Sequence, residues 1–157
     1  VLLIGLTTSS RSAVLKTDTA SASMLPQTTL VHGHVVDVKT EPYPTRPQHT
    51  RTRYQLIIWT SSPGAGLAQQ AGPQVHEGSI IDVVMPGGER GGRMTVVAGV
   101  RHLTLGDEVV LNIQQTPWGL SPLGYALGTV VLRRDNAGAL LLPEEPYQHP
   151  LLRWLRP

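Results

Sequence analysis

"TLVHGHVVDVKTE", residues 29–41, decides how the chain reads. Apolar and polar side chains alternate through it, and valine and threonine recur. A strand's side chains repeat every two residues, so Leu30, His32, His34, Val36 and Val38 fall on one face of a strand over 30–39. That face carries two histidines, two positions apart. Such a pair binds zinc or copper when a third ligand converges on it. His76, His102, Asp82 and Glu77 are the candidates for a third ligand, but no spacing in the sequence forces any of them toward His32 and His34. The plainer reading is a strand at a barrel rim or edge, its histidines solvated.

Outward from this stretch come more short runs of the same kind, broken by Gly and Pro. "EPYPTRPQH" (41–49) holds three prolines and reads as an exposed loop. "TRYQLIIWT" (52–60) reads as a second strand, with Tyr54, Leu56 and Ile58 on one face and Arg53, Gln55, Ile57 and Trp59 on the other. "SIIDVVM" (79–85) and "RMTVVAGV" (93–100) make a third and fourth, joined by the turn "PGGERGG". "EVVLNIQQ" (108–115) places Val109, Leu111 and Ile113 on one side. "TPWGLSP" reads as a loop, "YALGTVVLRR" (125–134) as a sixth strand, and "DNAG" as a turn into "ALLL", a short hairpin partner. No segment keeps a helical period over three turns. Six or seven short strands at this spacing predict an all-β fold: a small closed or partly open, OB-like barrel of about five to seven strands.

A length of 157 residues suits one domain with tails. The barrel is expected over 29–142, preceded by a signal remnant or extended arm (1–28) and followed by a Pro-rich tail (143–157). The chain has no phenylalanine, so Val, Leu and Ile must build the core around few aromatic anchors. It has no cysteine, which removes disulfides, thiolate catalysis and thiolate-bound zinc. The net charge is only +2, and no Lys/Arg-rich block stands beside aromatic residues. The strand faces also lack stacking aromatics, so no nucleic-acid partner is expected. The apolar run "VLLIGL" is too short to span a bilayer, and no integral membrane span is expected. Small residues follow it. Ser10 and Ser12 stand at −3 and −1 of a candidate cut before Ala13, and "TASAS" (19–23) offers another. This pattern suits an exported protein, in the periplasm, the outer envelope or the extracellular space.

The remaining motifs argue against an enzyme. "MPGGERGGR" leads into a strand rather than a helix and has no Walker lysine, so its glycines serve a hairpin, not a phosphate. There is no Gly-x-Ser-x-Gly elbow. Asp107/Glu108 and Glu144/Glu145 are adjacent pairs in turn or Pro-flanked settings, unsuited to paired acid–base work. No cofactor is implied.

The order "LVHGHVVDV", "TRYQLIIW", "GSIIDVVMPGGERGGRMTVVAGVRHLTLGDEVVLNI", "GYALGTVVLRR" resembles a loosely defined group of exported bacterial proteins of unassigned function. The match covers roughly residues 25–134 and rests on Gly33, Val35, Val36, Pro86, Gly87, Gly88, Gly91, Gly92, Gly99, Gly106, Glu108, Leu127 and Gly128. The resemblance implies a small OB-like or netrin-like barrel and brings no catalytic residues.

The expected function is therefore a non-enzymatic structural or protein-interaction module, acting through a protein partner or self-assembly. Leu2, Leu3, Ile4 and Leu6 at one end, and Leu152, Trp154 and Leu155 at the other, are the expected contact residues. They lie outside the strand pattern, where a self-sufficient barrel needs no large apolar groups. The alternative is a zinc- or copper-binding barrel that uses His32 and His34.

Overall fold

The computed structural model describes residues 27–63 and 72–141. The expected contact residues Leu2, Leu3, Ile4, Leu6, Leu152, Trp154 and Leu155 lie outside the described residues, as do most of the expected arm and tail. The strands are β1 (Thr28–Tyr43), β2 (Arg46–Pro63), β3 (Ile80–Pro86), β4 (Gly88–Arg90), β5 (Arg93–Thr95), β6 (Glu108–Thr116), β7 (Gly119–Pro122), β8 (Thr129–Arg134) and β9 (Leu140–Leu141). One turn of 3-10 helix, Tyr125–Gly128, precedes β8.

The main sheet runs β1-β2-β3-β7-β6-β8-β9, and β1 also pairs with β6. That second pairing closes β1-β2-β3-β7-β6 into a five-strand barrel, with β8 and β9 as additions. The expected all-β, OB-like barrel is what forms. All its pairings are antiparallel except β3 with β7, which meet in parallel at Val83 and Leu120. Among the described residues no helix is long and apolar enough to cross a membrane.

β1 serves two neighbours. It pairs with β2 from Thr29 to Tyr43 and with β6 from Thr28 to His34. Curling one strand across both sides of a small barrel needs an irregularity, and the β1–β2 register shifts between His32 and Gly33. There the backbones approach so closely that a Cβ on Gly33 would collide with the Ile57 carbonyl oxygen.

Inside, Val31, Val35, Tyr54, Leu56, Ile58, Val83, Met85, Val109, Leu111 and Ile113 pack into one core. The shared faces read for the second strand and for the strand over 108–115 are the ones that turn inward. Leu103 caps this core from the segment between β5 and β6. A smaller cluster, Leu30, Val110, Val130 and Leu132 with Leu140 against it, lies apart from that core.

Three expectations are corrected. First, "EPYPTRPQH" is not a loop: β1 runs to Tyr43 and β2 starts at Arg46. β1 has no β6 partner beyond His34, so Pro42 lies on a single-sided stretch where a missing N–H is harmless. Pro47 falls where the register jumps from the Tyr43–Arg46 pair to Pro42–Thr50, outside the ladder. Second, the strand over 93–100 is only Arg93–Thr95. The rest turns at Val97–Val100, where the Val100 N–H bonds the Val97 carbonyl and Gly99 has φ 74°. Third, "TPWGLSP" contains β7, and the strand expected over 125–134 begins at Thr129. β7 pairs with residues 113–116 of β6 and β8 with residues 108–111. The two are therefore one long strand, interrupted by residues 123–128.

Gly33→Ala places a methyl group against fixed backbone, which must move. The expected loss is about 2 kcal/mol or more, in the upper part of the overpacking range, read as a lower urea midpoint with an unchanged m-value. An unchanged midpoint would mean that β1 and β2 separate there at little cost.

Candidate functional site

The two histidines do share a face, and both rings meet Trp59 on β2. Ring centroids lie 5.0 Å apart for His32, edge-on, and 5.1 Å for His34. His32 sits opposite Val110, two residue pairs from the His34–Glu108 pair. Its Nε2 lies 2.9 Å from the Glu108 carboxylate and donates to it. Arg134 grips the same carboxylate with two bonds of 2.7 Å, from Nε and Nη2. The Arg134 bonds hold the Glu108 carboxyl below its ordinary range against the opposing effect of burial, and the His32 bond adds a lesser push in the same downward direction.

The candidate third ligands are placed elsewhere. His102 has its Nδ1 3.1 Å from the buried Tyr54 hydroxyl. Asp82 faces Arg53 at 3.6 Å. Among the described residues no three His, Cys, Asp or Glu side chains gather as a metal site. His34 Nδ1 is buried without a hydrogen-bond partner. In this geometry His32 acts as the neighbour of a carboxylate clamped by arginine.

A second constellation forms where the β1–β2 hairpin meets the turn between β6 and β7. Glu41 and Arg51 are cross-strand partners, and Arg51 donates to Glu41 Oε1 from Nη2 at 2.6 Å and from Nε at 3.0 Å. This ion pair fixes a guanidinium whose carbon lies 5.7 Å from the centre of the Tyr43 ring. Tyr43 packs edge-on against Trp118, with centroids 5.6 Å apart. Trp118 occupies the tight turn Thr116–Gly119, where Thr116 Oγ1 accepts the Trp118 N–H and donates to the Gly119 carbonyl. The indole is held there yet remains 42% exposed. Burial, then the nearby Tyr125 phenol, raises the Tyr43 pKa, and Arg51 opposes both. Three aromatics and an arginine thus converge on one end of the barrel.

The sequence reading missed this cluster. Its signal was present: "EPYP" and "TPWG" each carry an aromatic beside a proline at the tip of a strand pair. The convergence depends on the curl of β1, which no local pattern states.

No family model matches this chain, and no curated protein or solved structure matches it either.

A carboxylate whose folded pKa is depressed adds stability above its unfolded pKa, and that stability is lost as pH falls through the folded value. Glu108→Gln should therefore lower the thermal midpoint at about pH 7 and leave it close to the native chain's at about pH 2.5. A constant gap between the two chains across the series would refute the role given to the carboxylate charge.

Proposed function

We propose that this chain is a non-enzymatic binding module that contacts a protein partner through the Tyr43–Arg51–Trp118 end of its barrel. One observation carries the reading: a half-exposed tryptophan and a tyrosine are held in fixed packing by an arginine that is itself pinned by Glu41. Trp, Tyr and Arg are the residues that dominate binding energy at protein interfaces, because they offer large contact area with few rotamers to freeze. In OB barrels the loops joining strands 1–2 and 4–5 supply ligand contacts. Tyr43 and Trp118 stand beside the corresponding two turns here.

Three carboxylates near the two ends of the barrel are tied into its structure, which fits a binding role for this module. Glu108 is committed to Arg134 and His32, Glu41 to Arg51, and Asp107 Oδ2 to the Thr104 N–H. Leu2, Leu3, Ile4 and Leu6, together with Leu152, Trp154 and Leu155, belong to the same proposal as added contact groups. An exported setting, expected from the apolar run at 1–6, fits it as well.

The test is cross-linking of the full chain in extracts of its source, with partners identified by mass spectrometry. Affinity for the recovered partner, or for a second copy, is then measured with Trp118→Ala. The expected result is a loss of about thirtyfold, matching about 2 kcal/mol for an interface hot spot, in a barrel that melts as before. Retained affinity would sink the assignment of the surface, and recovery of nucleic acid instead of protein would sink the choice of partner. Chains lacking residues 1–12 or 150–157 examine the arms separately. They are expected to fold and to assemble less.

A further inference from the structure

A cleft of about 470 Å³ opens between the segment 101–107 and strand β8. Its volume falls in the range of small-molecule sites. Its charges are not balanced. Arg101 stands on the loop wall, and Arg133 and Arg134 on the strand wall; Asp107 and Glu108 are its two carboxylates. Both carboxylates are already engaged: Asp107 accepts the Thr104 N–H at 2.8 Å, and Glu108 takes both forks of Arg134. Arg101 and Arg133 form no ion pair among the described residues. Two uncommitted guanidinium groups therefore border one concave space from different elements.

The strand wall explains why Arg133 reaches this space. Side chains alternate along β8, and Val131 packs against the barrel core. Arg133 falls on the same side of the strand as Val131, exposed near its end, and both line the cleft. Arg134 takes the other side and is consumed by Glu108. Val131 also lines the cleft, so an apolar patch lies beside the charge.

From this we infer that the cleft binds a small ligand bearing an oxyanion, a carboxylate or phosphate group held by Arg101 and Arg133. A planar guanidinium matches either group with paired N–H donors, and two of them on facing walls favour a doubly charged head. The site goes beyond the protein-contact reading and stands if that reading fails.

Titration calorimetry of the full chain with inorganic phosphate and, separately, with glutarate tests it. One or both probes should saturate one site per chain below ~10 mM. Phosphate alone identifies a phosphate-bearing ligand, glutarate alone a dicarboxylate, and both an unselective oxyanion site. Affinity should fall at least tenfold in the Arg101→Gln/Arg133→Gln double variant and in Arg101→Gln alone by a smaller factor. The double variant Arg46→Gln/Arg93→Gln removes equal charge from exposed positions elsewhere and should bind as the native chain does. Failure of both probes to saturate, or equal weakening in the Arg46/Arg93 variant, overturns the inference.

Discussion

The structure depends on one strand being bonded along both edges. Between Thr29 and His34, β1 holds β2 on one side and β6 on the other. Remove either pairing and the remaining sheet is open, with apolar faces that have nothing to pack against. The condition for both is a close backbone approach at Gly33, which no side chain permits. Past that point β1 leaves β6, and the segment before β6 takes over. The Val35 N–H bonds the Asp107 carbonyl, and the Gly106 N–H bonds the Val35 carbonyl. The rim at residues 105–107 is thus tied to the strand that closes the barrel.

A barrel without phenylalanine must fill its centre in another way. Tyr54, only 1% exposed, does so at the cost of burying a hydroxyl. That hydroxyl must be satisfied, and the segment after β5 brings the groups that do it: His102 Nδ1 at 3.1 Å and the Leu103 N–H at 3.4 Å. The same segment then carries Leu103 into the core. The need to pair one buried phenol therefore fixes the loop that forms a wall of the arginine-lined cleft. A Cβ on Gly87, whose φ is 92°, would collide with the Thr95 carbonyl and crowd the His102 ring, so only glycine lets the start of the β4–β5 hairpin lie beside that ring. Barrel filling, loop path and hairpin placement are linked through Tyr54.

Much of the fold was legible because its signal is local. Strand alternation at 54–58 and 109–113 gave the inward faces directly, and Gly91 and Gly92 marked the β4–β5 turn, with φ of 59° and 73°. What failed to read was non-local. The prolines at 42 and 47 signal a loop unless one knows that β1 has lost its second neighbour there. β7 hides within "TPWGLSP" because it is four residues long and draws its stability from β6. The histidine pair was legible as a shared face, yet Trp59 and Glu108, which decide its surroundings, come from strands 25 or more positions away. The aromatic end was illegible for the same reason: Tyr43 and Trp118 are distant in sequence and meet only after the barrel curls.

The two regions given functional roles lie at opposite ends of β6. Glu108 begins that strand beside the cleft, and Thr116 ends it at the Trp118 turn. Eight residue steps at the rise of an extended strand separate them by roughly 26 Å. Changes that far apart, with no shared partner, act additively on stability. Coupling between the ends would need an element with two arrangements, and β6 is bonded on both edges by β1, β7 and β8. A strand so held transmits position rather than motion. The barrel is therefore better suited to presenting two independent surfaces at fixed separation than to relaying occupancy of one to the other.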